Sequence, residues 1–249
     1  MSENRVALVT GAGSGIGRES TLALARAGFT VVGTGRTQAT LDETSAMADG
    51  GAVSMIACDV TDETEVDRLF AQIGERHGRL DVVFNNAGTN IPAANFGELE
   101  YSGWRKVLGV NLDGAFLVAH RAFRMMRDQD PQGGRIINNG SISAYLPRPG
   151  SAPYTASKHA ISGLTRTIAL DGRQHSIACG QIDIGNAASH MTQAMNSGVL
   201  QADLSMKPEP TMDVSHVGDA VVHMASLPLE ANILFMTVMA TNMPFVGRG

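Results

Sequence analysis

Apolar residues fall along this chain in two rhythms. Short unbroken runs at 5–10, 29–34, 53–58, 80–84, 134–140, 177–182 and 233–239 read as strands buried on both faces, the pattern of a parallel sheet. Between them lie longer stretches in which apolar positions recur at helical spacing. One helix runs from the glycines after residue 10 to Ala27, and a second starts at Thr61 or Asp62 and ends near His77. A long one spans 101–127 with Val107, Val110, Phe116, Leu117 and Phe123 apolar, and others span 153–171 and 214–226. Strand alternating with helix predicts one α/β doubly wound domain over 1–249: a mostly parallel seven-stranded sheet with helices on both faces.

Composition narrows the class. The chain has 249 residues, enough for a single domain with a substantial core. Its net charge of -5, with no Lys/Arg cluster, argues against a nucleic-acid surface. The apolar stretch at 233–240 is too short to span a bilayer, and the opening Met1-Ser2-Glu3-Asn4 shows no signal-peptide pattern, so no membrane is expected and the expected location is the cytoplasm. Cys58 and Cys179 each end an apolar run and read as buried thiols, and the seven His are scattered; no metal site is expected.

The candidate chemistry begins with Tyr154 and Lys158, four residues apart on one helix face. An ammonium beside a phenol favours its ionised form and suits it to acid/base work at neutral pH. Upstream, Gly11, Gly13, Ser14, Gly15, Ile16 and Gly17 stand between the first strand and the first helix. Glycines there allow a tight turn and close backbone approach, while the helix presents free N–H groups to an anion such as a pyrophosphate.

Taken together, this glycine stretch, then Asn85-Asn86-Ala87-Gly88, Asn111, Ser141 and Tyr154-x-x-x-Lys158, in that order and spacing, resemble the short-chain dehydrogenase/reductases of about this length, from Arg5 to the C-terminus. The resemblance implies a Rossmann-type domain that interconverts a secondary alcohol and a ketone with a nicotinamide cofactor, as a homotetramer acting on a small-molecule carbonyl or alcohol. Asn111, Ser141, Tyr154 and Lys158 would be catalytic, with Ser141 thirteen residues before Tyr154 fitting better than its neighbour Ser143. Asn111 would distort its helix and free a carbonyl to hold a water; otherwise it is a satisfied core amide. Asp59 would meet the adenine with Val60 beside it, unless it caps the next helix, and Asn85, Ala87 and Gly88 would lie along the ribose. Where an NAD site places an acid after the second strand, this chain has Gly35 and then Arg36, so NADP(H) is the expected preference, with NAD(H) possible.

The chain also departs from that pattern. Ile184-Gly185 stands where Pro-Gly is usual, followed by Ser189 for a Thr; these three are carried as nicotinamide contacts. The closing stretch lacks the usual Asp-Gly-Gly. Residues 186–212 look irregular, with Met191, Met195, Met206 and Met212: either a lid over an apolar substrate or a surface loop with gap-filling methionines. A non-catalytic NADP(H)-binding protein is the alternative function.

Overall fold

The structure, a computed structural model, describes residues 5–189, 195 and 197–246. Met191 and the last three residues lie outside them. Seven strands form one sheet: β1 (Val6–Thr10), β2 (Thr30–Gly35), β3 (Val53–Ala57), β4 (Val82–Asn85), β5 (Gly134–Asn139), β6 (Ile177–Gly185) and β9 (Phe235–Met239). Their order is β3-β2-β1-β4-β5-β6-β9, and every pair is parallel.

The two-residue period of the strand explains why the runs carry no polar alternation. Val6 and Leu8 of β1 enter one core with Val66, Leu69 and Ile73 of α3 (Glu63–His77) and Val118 and Ala122 of α5 (Ala115–Asp128). Ala7 and Val9 enter the opposite core with Leu24 of α1 (Gly15–Arg26) and Val217, Val221 and Met224 of α7 (Ser215–Ser226). Both faces are therefore covered, as a parallel sheet requires. The winding reverses between β1 and β4, which opens a crevice at the strands' C-terminal ends.

Asp62 caps α3, its Oδ1 accepting from the backbone N–H of Thr64 and Glu65, which selects one of the two candidate caps. The long helix is not continuous. After α4 (Tyr101–Leu108) the chain makes a π turn over Gly109–Gly114 and resumes as α5. Gly114 packs on Val60, whose Cγ2 lies 2.8 Å from where a Cβ would sit. Further on, α2 (Gln38–Ala46) joins β2 to β3, and α6 (Ala152–Asp171) precedes β6.

The stretch after β6 is more ordered than its polarity suggests. β7 (Val199–Leu200) and β8 (Met206–Lys207) pair antiparallel, and Ala187 bridges Met212. Near the C-terminus Met243 is buried against Ile142, so this atypical ending supports the turn after β5.

Candidate active site

A cleft of about 840 Å³ runs along the C-terminal ends of β1, β4, β5 and β6. Gly11, Ser14, Gly15, Ile16, Gly17, Asn86 and Gly88 line one end of it, and Ser141, Tyr154, Lys158, Ile184 and Ser189 line it further along. The glycine end is built by close backbone packing. Gly11 (φ +70°) and Gly15 (φ +50°) occupy the left-handed region, and a Cβ on Gly17 would sit 2.0 Å from the Gly11 carbonyl oxygen. Ser14 precedes α1 without capping it through its side chain, so the first N–H groups of the helix stay open for an anion. Those residues fit a dinucleotide pyrophosphate.

Thr10 and Asn86 tie this loop to the sheet. Thr10 Oγ1 accepts from the N–H of Asn86 (2.9 Å) and Ala87 (2.8 Å), and Asn86 Nδ2 donates to the Thr10 carbonyl. Asn139 Nδ2 in turn donates to Asn86 Oδ1 at 2.7 Å. Asn86, not Asn85, is the side chain in the cleft. Asn85 points into the core, where its Nδ2 reaches the Ala115 carbonyl and Asn138 Oδ1, because alternate strand residues face opposite ways.

Gly13, Val60, Ala87 and Gly185 are not among the residues lining the cleft. Gly13 faces α2, its absent Cβ making room for Thr40 Oγ1 at 2.4 Å. Ala87 packs towards the core, Val60 lies under Gly114, and Gly185 is crowded by Met239 and Met243. Asp59 does line a second, smaller pocket of about 390 Å³ with Arg36, Glu65 and Arg68 at the ends of β2 and β3. There its Oδ1 accepts from the Thr61 N–H and hydroxyl, a local turn contact, while Glu65 accepts from its N–H.

The polar centre sits where β5 hands over to α6. Ser141 Oγ accepts from the Ser143 N–H (3.1 Å), which leaves its own O–H to donate elsewhere. Tyr154 shares the cleft wall with Ser141. Asn111, inside the π turn and 2% exposed, accepts from the Thr89 N–H (2.7 Å) and donates to the Thr89 carbonyl and Ser157 Oγ. It thus fixes one cleft residue, Thr89, against the helix that carries Tyr154, and does not itself line the cleft.

Lys158 stands beside the phenol and is anchored from the end of β5. Its Nζ donates to the Asn139 carbonyl at 2.7 Å and stands 5.5 Å from the centre of the Tyr154 ring. Burial pulls this ammonium down to about 8, against the opposing charge of Asp183. Burial raises the Tyr154 phenol, and the nearby Ser141 hydroxyl and the charge of Arg148 oppose the rise.

The outer wall closes around one carboxylate that sequence reasoning did not single out. Glu209, almost fully buried, pairs with Arg148 and accepts from Asn186 Nδ2 (2.9 Å) and Gln201 Nε2 (3.0 Å). Arg148 also donates to Asn186 Oδ1. This cluster joins the loop before α6 to 186–212. A loop glutamate carries no periodic signal, so nothing in the sequence marks it.

A glycine cradle, a cleft at the winding reversal and a Ser/Tyr/Lys group on its wall define a dinucleotide-dependent α/β enzyme of the doubly wound class. Comparison with known proteins makes this specific. The short chain dehydrogenase family model matches residues 5–199, and this chain belongs to that family. It is 36% identical over 204 residues to a 3beta-hydroxysteroid dehydrogenase of Mediterraneibacter gnavus, covering 79% of this chain and 71% of that one. The crystal structure of an acetoin dehydrogenase from Salmonella typhimurium superposes with a TM-score of 0.80 at 29% identity, covering 95% and 96% of the two chains. A 3-ketoacyl-(acyl-carrier-protein) reductase from Brucella melitensis, complexed with NADH, shares the fold with a TM-score of 0.85 at 22% identity over 96% and 98%. The chain is accordingly an NAD(P)-dependent oxidoreductase acting on CH–OH groups, and the non-catalytic alternative finds no support.

Proposed function

We propose that the chain reduces a small ketone to a secondary alcohol, or runs the reverse, with Tyr154 as general acid/base and NADP(H) as the preferred cofactor. The observation that carries the reading is one cleft lined by both the glycine loop and the Ser141, Tyr154 and Lys158 side chains. The open N–H groups of α1 would hold the pyrophosphate, and Ile184 and Ser189 would face the nicotinamide, which supplies or accepts the hydride when bound. Ser141 donates its free O–H to the carbonyl oxygen and orients it. Tyr154 gives its phenolic proton to that oxygen in reduction and takes it back in oxidation. Lys158 would bind the ribose hydroxyls, and the π turn at Asn111 would leave main-chain carbonyl capacity for a water on the proton path.

The cofactor preference rests on the edge pocket. Gly35 offers no carboxylate at the end of β2, whereas Arg36 and Arg68 both line that pocket. A 2'-phosphate is welcomed by guanidinium groups and repelled by a carboxylate. The substrate is a small molecule, and the assembly is a homotetramer joined through α4, α5 and α6. Tyr101, Phe116 and Leu170 on those helices are exposed, in keeping with a covered surface there. The cytoplasm remains the proposed location; no helix among the described residues is long and apolar enough to cross a membrane.

The test is a panel of diketones, β-keto esters, cyclic ketones and ketosteroids, each followed by oxidation of NADPH and of NADH. Turnover with a higher kcat/KM for NADPH, lost by about a thousandfold in Tyr154→Phe while cofactor affinity stays within a few-fold, is the expected result. Undiminished turnover in that variant removes Tyr154 from the chemistry, and a preference for NADH overturns the role given to Arg36.

A further inference from the structure

The reaction described above does not use Asp183, yet this carboxylate lies directly under it. It is fully buried in the middle of β6, on the strand that pairs with β5. A buried carboxylate is costly unless donors surround it, and here three do. Oδ1 accepts from the Ser141 N–H (3.0 Å) and from Gln181 Nε2 (2.6 Å), and Oδ2 accepts from the Tyr145 hydroxyl (2.8 Å). Among the described residues no cation pairs with it. The main chain of β5 is fitted to it as well: a Cβ on Gly140 would lie 2.0 Å from Asp183 Oδ1, so only glycine lets the backbone pass over the carboxylate to Ser141.

The contacts have a direction. Ser141 and Tyr145 bracket the 3-10 turn Ile142–Ala144, which forms part of the cleft wall. Asp183 holds both ends of that turn, one by its amide and the other by its hydroxyl. Below, Gln181 passes the connection to Ser162 and Thr165 of α6, Thr165 to Asn138, and Asn138 to Asn85 and the Ala115 carbonyl at the start of α5. The carboxylate is thus the upper end of a polar chain that crosses three strands.

We propose that Asp183 is a positioning residue: it fixes the Ser141–Tyr145 turn so that the Ser141 hydroxyl meets the carbonyl oxygen. Its catalytic consequence rests on the role given to Ser141 above; its structural content does not. Its negative charge also favours the protonated form of Lys158, opposing burial.

Two measurements separate those layers. Hydrogen exchange of the cofactor-free protein, read by mass spectrometry over 139–146, needs no substrate. In Asp183→Ala this segment is expected to exchange at least about tenfold faster while β1 and β4 stay protected; unchanged exchange overturns the proposal. Should Asp183→Ala not fold, Tyr145→Phe removes only the outer contact and must still speed exchange at 142–146, and if it does not the proposal fails. With the fastest ketone of the panel, Asp183→Ala is expected to lose about a hundredfold in kcat with cofactor KM little changed, and Asp183→Asn, which keeps an acceptor for Ser141, to recover most of it. Combined with Ser141→Ala, Asp183→Ala should add less than about threefold, because both act through one hydroxyl. A loss that multiplies in the double variant shows a merely structural residue and sinks the assignment. If no ketone is turned over, the function fails by itself and the exchange result still decides the role of Asp183.

Discussion

The two ends of the cleft are held together by different physics. At the nucleotide end the chain packs backbone on backbone, with Gly17 against the Gly11 carbonyl, and Thr10 and Asn86 tie that packed loop to the sheet. At the substrate end the wall hangs on side chains, with Arg148 from the loop before α6 joining Asn186 and Gln201 on Glu209. Backbone packing suits a ligand whose diphosphate never changes. A wall gathered around one carboxylate can be re-cut by substitution without disturbing the sheet, which is where substrate choice can diverge among relatives that share the other end.

The largest effect should come from filling the backbone contact. Gly17→Ala places a methyl where the Gly11 oxygen sits, so NADPH affinity by fluorescence titration should fall more than about a hundredfold, with the same change at the exposed Gly163 harmless. Removing the carboxylate at the other end should cost stability first. Glu209→Gln leaves Arg148 facing a neutral partner and is expected to destabilise by about 3 kcal/mol in a denaturant titration, to raise KM for the ketone, and to leave cofactor affinity intact. If both variants damage cofactor affinity equally, the two ends are not independent.

Where the ends meet, Lys158 gives the smallest and most diagnostic effect. Its folded pKa, about 8, lies below the 10.5 of an unfolded lysine. Between those values the unfolded chain binds more protons, so the burial penalty is full below pH 8 and fades as pH rises towards 10.5. Relative to Lys158→Met, the cofactor-free protein should gain roughly 2 kcal/mol between pH 7 and 10. A pH-independent difference would show that the ammonium is solvated.

Much of the nucleotide end was legible because its logic is local. Strand, glycines and helix follow one another within a few residues, and Asp62 sits next to the turn it caps. Asn111 was legible only through the family resemblance, since a π turn leaves no periodic trace. A doublet of asparagines does not say which side chain faces the cleft: Asn86 lines it and the Asn85 side chain is bonded in the core. Helix spacing puts Lys158 beside the phenol, where it stands, but does not show that the Asn139 carbonyl, from a strand nineteen residues earlier, also holds its ammonium. Asp183 did leave a signal, a lone acid in an apolar strand, whereas Glu209 acquires its role only when the chain folds back on itself.

The relay from Tyr145 to Ala115 carries a practical consequence for redesign. Gln181, Thr165 and Asn138 each donate to one neighbour and accept from another, so an apolar swap at any of these inner links strands two groups in a dry interior rather than one. Attempts to retune this floor should therefore exchange adjoining inner links as couples, because a single apolar swap there loses stability that a matched pair keeps.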